Sequence, residues 1–76
     1  MLKLHQLSKN DRVRVVGYDP KESAYALRLQ TLGLVPGTPL QLIRFAPLGD
    51  PAEIHYRGTR LTLRPSEADC LLLEQL

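Results

Sequence analysis

Apolar and polar residues alternate along most of this chain in short runs, and glycine, proline, asparagine or aspartate interrupts each run. Alternation with a period of two places every second side chain on one face of a strand. Short strands between regular turn signals predict a small sandwich or barrel. The first clear strand is Arg12 to Val16, with Val13 and Val15 on one side and Arg12 and Arg14 on the other, and Gly17 ending it. A second runs from Thr38 to about Pro47. Its phase slips between Leu42 and Ile43: Leu40 and Leu42 follow one phase, Ile43 and Phe45 the other. A slip inside a strand predicts a bulge, and small barrels use such bends to close. Ala52 to Arg57 and Arg60 to Arg64 read as a hairpin turning at Gly58 and Thr59, with Ala52, Ile54, Tyr56, Leu61 and Leu63 inward. A last strand carries Leu71 and Leu73 inward.

One helix breaks this pattern. It starts near Glu22 or Ser23 and ends at Leu32, and the spacing of Tyr25, Leu29 and Leu32 gives it one apolar face. Gly33 stands where a helix ends through positive φ, and Pro36 and Gly37 turn the chain into the next strand. Asn10 suits the turn Ser8 to Asp11, because Asn tolerates left-handed backbone. In the turn Ala46 to Pro51, Gly49 supplies positive φ and Asp50 bonds nearby backbone. Leu2, Leu4 and Leu7 are expected to pack against the barrel, and Pro65 to Ala68 to form a short helical turn. The expected fold is mainly β: a small SH3-like barrel of about five strands, an inserted α-helix plugging one open end, and a helical turn before the last strand. Residues 1–76 form a single domain in this reading.

A chain of 76 residues gains only about 3–5 kcal/mol from its core, which argues against long catalytic loops or a deep substrate cavity. Cys70 is the one cysteine. It forms no intrachain bridge, which points to a reducing compartment, and it reads as a small buried apolar residue. The formal net charge is +2, with both signs interspersed as on an ordinary solvated surface. The N-terminus lacks a signal-peptide apolar region, and no apolar run is long enough to span a bilayer. The expected location is the cytoplasm, with any membrane association, peripheral at the inner membrane, made through a partner.

Candidate chemistry is sparse. His5, His55 and Cys70 are the potential metal ligands, yet no pair has the spacing of a zinc-type motif. His55 lies on the outward phase of its strand and His5 near the terminus, so both read as surface histidines. Ser8, Ser23 and Ser66 lie in turns, where serine caps backbone, and none sits in a nucleophile elbow. The glycines are isolated, so no phosphate-cradling loop exists and GTP binding is not expected. Arg12 and Arg14 share an outward face, as do Arg57, Arg60 and Arg64. Stacking platforms for nucleic acid need exposed aromatics, and three of Tyr18, Tyr25, Phe45 and Tyr56 read as core, so nucleic acid is not the expected partner. No catalytic residue, cofactor site or metal site is assigned.

Four pieces occur in order: Arg28-Leu29 with Leu32-Gly33-Leu34 and Pro36-Gly37; the loop Ala46-Pro47-Leu48-Gly49-Asp50-Pro51; Gly58 with Leu61, Leu63 and Arg64; and the pair Glu67-Ala68. Together they resemble the bacterial ferrous iron transport protein A (FeoA) family. Asn10 departs from the glycine that family usually carries before its first strand. The resemblance implies a non-enzymatic accessory protein of transition-metal transport. Its implied partner is the cytosolic part of the GTP-dependent ferrous iron permease FeoB, whose assembly or GTP cycle it would modulate. Some iron-dependent repressors end in a related SH3-like domain, and their DNA-binding and metal-binding regions are not expected here. The regulatory alternative is docking on such a repressor or on nucleic acid. Exposed apolar residues mark the expected contact surface: Ala24, Leu27, Leu34, Val35 and Leu48. Leu34 has a competing reading, packed under the barrel. Self-association through open strand edges is a further expectation.

Overall fold

The computed structural model describes every residue except Glu22, so the part of the helix start expected there lies outside the described residues. Five strands form one antiparallel sheet: β1 (Arg12–Tyr18), β2 (Pro39–Phe45), β3 (Ala52–Tyr56), β4 (Thr59–Leu63) and β5 (Leu71–Gln75). The spatial order is β4-β3-β2-β1-β5. Helix α1 (Ala24–Thr31) joins β1 to β2, and the single-turn α2 (Pro65–Ala68) joins β4 to β5. The inward phases close over one core holding Val13, Val15, Leu40, Leu42, Ile54, Leu63, Leu71 and Leu73. Each such side chain contributes on the order of 1.5–3 kcal/mol when fully buried. Leu4 and Leu7 join this core, and Leu2 bridges to Leu73 on the outer edge of β5.

The phase slip in β2 is a register shift between Leu42 and Arg44 opposite β3. A second shift falls between Val15 and Gly17 in β1, opposite β5. Gly17 therefore does not end β1 as the sequence predicts. The bulge changes the phase, the strand continues, and Tyr18 is delivered to the interior at 4% exposure. The β3–β4 hairpin turns through Arg57 and Gly58, at φ 48° and 75°. This is one residue earlier than expected, and Thr59 already belongs to β4. Two positive φ values match the twist of the flanking strands in a two-residue turn. Asn10 holds φ 72° in the turn before β1.

Helix α1 begins on Ser23, whose hydroxyl accepts from the Ala26 amide at 3.0 Å, the usual service of an N-cap serine. At the other end the Gly33 amide donates to the Gln30 carbonyl (3.0 Å) and the Leu34 amide to the Leu29 carbonyl (3.1 Å). These two bonds define a Schellman turn. The turn corrects the expected apolar face. Ala26 and Leu29 are the buried residues of α1, whereas Tyr25 and Leu32 are 51% and 40% exposed. The eight-residue helix spends its core-facing side on a narrow seam. The reversal at Gly33 then brings Leu34 into the core beside Leu29, where Leu32 was expected.

Gly33 holds φ 98°, and a Cβ there would meet nothing nearer than 3.8 Å. Gly33→Ala is therefore expected to cost only the left-handed backbone penalty, about 1–2 kcal/mol. Urea denaturation checks this: the midpoint falls while the slope is unchanged.

Candidate functional site

The ladder between β1 and β2 ends at Arg14 opposite Pro39, with Val15 still bonded to Gly37 and Thr38, whereas pairing with β5 continues to Tyr18. Beyond Arg14, β1 is thus bordered by the helix and by the turn before β2. A groove of about 350 Å³ opens here, with Val16 and Gly17 on one wall, Leu27 and Gln30 on another, and Pro36 and Lys21 at its margins. Ala24, Leu27 and Gln30 follow one another at helical spacing on the same face of α1. Leu27 remains 56% exposed, and Val35, beside Pro36 in the chain, 36%. The groove mixes apolar surface from Val16, Leu27 and Pro36 with the polar groups of Tyr18, Lys21 and Gln30, so it suits an apolar side chain flanked by polar groups.

The chain between Leu27 and Pro36 is tied down by side-chain donors. Tyr56 donates its hydroxyl to the Leu32 carbonyl (2.7 Å), Thr38 to that of Gly33 (3.2 Å), and Tyr18 to that of Leu34 (2.6 Å). Three successive carbonyls at and just beyond the helix end thus each receive a side-chain donor, and Arg57 in turn donates to the Thr38 hydroxyl at 3.3 Å. This network holds the segment that presents Val35 and Pro36. It was missed in the sequence, although a signal existed: Tyr18 and Tyr56 are buried tyrosines, and a buried phenol needs a hydrogen-bond partner.

Burial pushes the Tyr18 phenol well above its ordinary value, with Cys70 and Tyr56 adding smaller upward contributions. A raised folded-state value means that the folded chain keeps a proton the unfolded chain releases. The contribution to stability is complete below the unfolded value near pH 10 and is lost as pH rises above it toward the folded one. Urea denaturation at pH 7 and pH 11 is expected to show a fall of about 1 kcal/mol assignable to Tyr18. Tyr18→Phe flattens this component and costs about 1–3 kcal/mol at pH 7 by leaving the Leu34 carbonyl unpaired.

The other residues marked in the sequence fall as follows. Leu34 is fully buried, so it leaves the exposed patch and its packed reading holds. Leu48 is 96% exposed at the tip of the β2–β3 loop. Val35 and Pro36 lie before the start of β2 and Leu48 beyond its end, so about 20 Å of strand separates them. Of the expected surface only Leu27 lines the groove; Ala24 precedes it by one helical turn, Val35 adjoins the lining residue Pro36 in the chain, and Leu48 stands alone. In the Leu48 loop, Gly49 holds φ 84° and Asp50 pairs with Arg64 at 3.4 Å. Gly37, at φ 94°, donates its amide to Val15, and Gly58 forms the hairpin turn with Arg57. His5 and His55 are exposed, and His5 lies 3.5 Å from Asp69. Cys70 is buried, with its thiol directed at the Glu67 carbonyl. Among the described residues no three of His, Cys, Asp and Glu converge as a metal site, and no helix is long and apolar enough to cross a membrane.

A five-stranded antiparallel sheet with one inserted helix defines a small SH3-like module. The FeoA domain model matches residues 2–75, and the chain belongs to the FeoA family. The FeoA protein of Chlorobium tepidum is 43% identical over 99% of this chain and 70% of its own, with a TM-score of 0.86. An FeoA-like protein of Clostridium acetobutylicum is 37% identical over 100% of this chain and 91% of its own, at 0.88. Stenotrophomonas maltophilia FeoA, solved with zinc, is 27% identical over 97% of this chain and 91% of its own, at 0.82. It is described as a prokaryotic SH3 domain protein and a candidate ferrous iron transport activating factor. T. acidophilum IdeR shares the fold alone, at 13% identity over 99% of this chain and 34% of its own, with a TM-score of 0.83.

Proposed function

We propose that this chain is a non-enzymatic, cytoplasmic adaptor of ferrous iron uptake. It docks on the cytosolic region of the GTP-dependent permease FeoB and modulates its assembly or GTP cycle. Ferrous ion is the permease's cargo in this reading and needs no resident site here. The observation that carries the reading is the exposure of Leu27, more than half, at a partly apolar groove beside a helix-end segment held by side-chain hydrogen bonds to backbone. A preformed apolar recess on a rigid scaffold loses little entropy when a partner enters it. Calorimetric titration of the purified cytosolic region of the permease tests this reading. Saturable binding with a negative heat-capacity change, the mark of apolar burial, is expected. No heat, together with unchanged nucleotide turnover on addition of this chain, contradicts it.

A further inference from the structure

We infer that the outward face of the sheet is a second docking surface, built for an acidic protein segment lying extended across the strands. The register aligns Arg12 with Gln41, Gln41 with His55, and His55 with Arg60, so four polar side chains form one row across β1, β2, β3 and β4. The neighbouring positions Leu42, Ile54 and Leu61 form the matching row on the core side, which places the Arg12–Arg60 row outside. Strands spaced about 4.8 Å apart make this row about 14 Å long.

Charge on this face is unevenly matched. Arg14 pairs with Glu74. Glu53 alone serves two guanidinium groups, Arg44 at 3.4 Å and Arg60 at 3.1 Å. Among the described residues Arg12 has no carboxylate within ion-pair distance. Among the described residues, these four arginines thus stand against two side-chain carboxylates, a local excess of positive charge. Arginine presents a planar fork that grips carboxylates in pairs, so an acidic segment can take the free donors of Arg12 and Arg60 without displacing Glu53. In an extended segment, residues i and i+4 stand about 14 Å apart on one face, which matches the row's two ends, with His55 able to bond between them and Gln41 holding its amide on the Asn10 carbonyl. Nucleic acid fits less well. The buried tyrosines Tyr18 and Tyr56 spend their hydroxyls on backbone carbonyls, and none of Tyr18, Tyr25, Phe45 or Tyr56 belongs to the row, so stacking is not provided. The row sits at the opposite end of β1 from the groove, and the inference stands whether or not the groove binds the permease.

The test is an NMR titration of the labelled full chain with an eight-residue peptide carrying Glu at every second position, beside its Gln counterpart. Amide shifts are expected to concentrate at Arg12, Gln41, His55 and Arg60, with the Gln peptide inert. Joint substitution Arg12→Gln and Arg60→Gln should weaken binding roughly tenfold, because exposed charge pairs are individually modest. Arg28→Gln, which removes the charge paired to Glu67, should leave binding unchanged, and thermal melts confirm that each variant is folded. Shifts scattered over all basic residues, equal weakening by Arg28→Gln, binding of the Gln peptide, or tighter binding of an oligothymidylate of matched charge would each overturn the proposal.

Discussion

Leu34→Ala is expected to leave a large fraction of this protein unfolded at room temperature. Leu34 is fully buried, and its amide closes the Schellman turn onto Leu29, so the surroundings are pinned and collapse poorly around a cavity. Substitutions of this type cost about 2–5 kcal/mol, comparable with the whole stability of about 3–5 kcal/mol that a core this small supplies. The backbone bond survives, since alanine retains the amide, so the loss belongs to side-chain packing. Urea denaturation followed by far-ultraviolet dichroism measures it. A cost below about 0.5 kcal/mol, the range of ordinary surface substitutions, would mean that Leu34 is not a core residue.

Leu27→Asp is expected to do the opposite: the fold persists and partner binding fails. Leu27 sits on the solvent side of α1, 56% exposed, and aspartate there meets water rather than core. Stability should move by no more than about 0.5 kcal/mol. At the groove the same change removes an apolar anchor and places a charge where the partner's apolar group must enter. Central anchors of this kind carry roughly 2 kcal/mol or more of an interface, so affinity for the permease's cytosolic region should fall at least about 30-fold. Leu48→Asp provides the contrast. Leu48 lies beyond the far end of β2, and equal loss from both substitutions would mean that the contact surface spans both ends of the sheet.

The sequence revealed the strands and the groove to different degrees, and the reason is physical. Alternation is a local signal, so Val13 and Val15, Leu40 and Leu42, and Ile54 with Tyr56 could be assigned to the interior one by one. The phase slip at Leu42 and Ile43 likewise betrayed the bulge in β2. The helix was harder. Its eight residues hold too few turns to separate two apolar stripes. Tyr25, Leu29 and Leu32 satisfied the spacing as well as Ala26 and Leu29 did, and the small side chain of Ala26 gave no sign of burial. Gly33 announced the helix stop but not the chain reversal that exchanges Leu32 for Leu34. The groove depended on knowing where β2 leaves β1, and the bulge at Gly17 read as a strand end hides that. The carbonyl network of Tyr18, Thr38 and Tyr56 links residues up to 24 positions apart, beyond any local pattern.

Capture from the native membrane fraction, with this chain as bait and with or without a GTP analogue, tests the central claim most directly. The adaptor account predicts recovery of the large GTP-binding permease by the wild-type chain and its loss with folded Leu27→Asp, with any nucleotide dependence placing the contact near the permease's switch regions. Recovery of nucleic acid or a repressor and no permease, or equal recovery of the permease by Leu27→Asp, would contradict it.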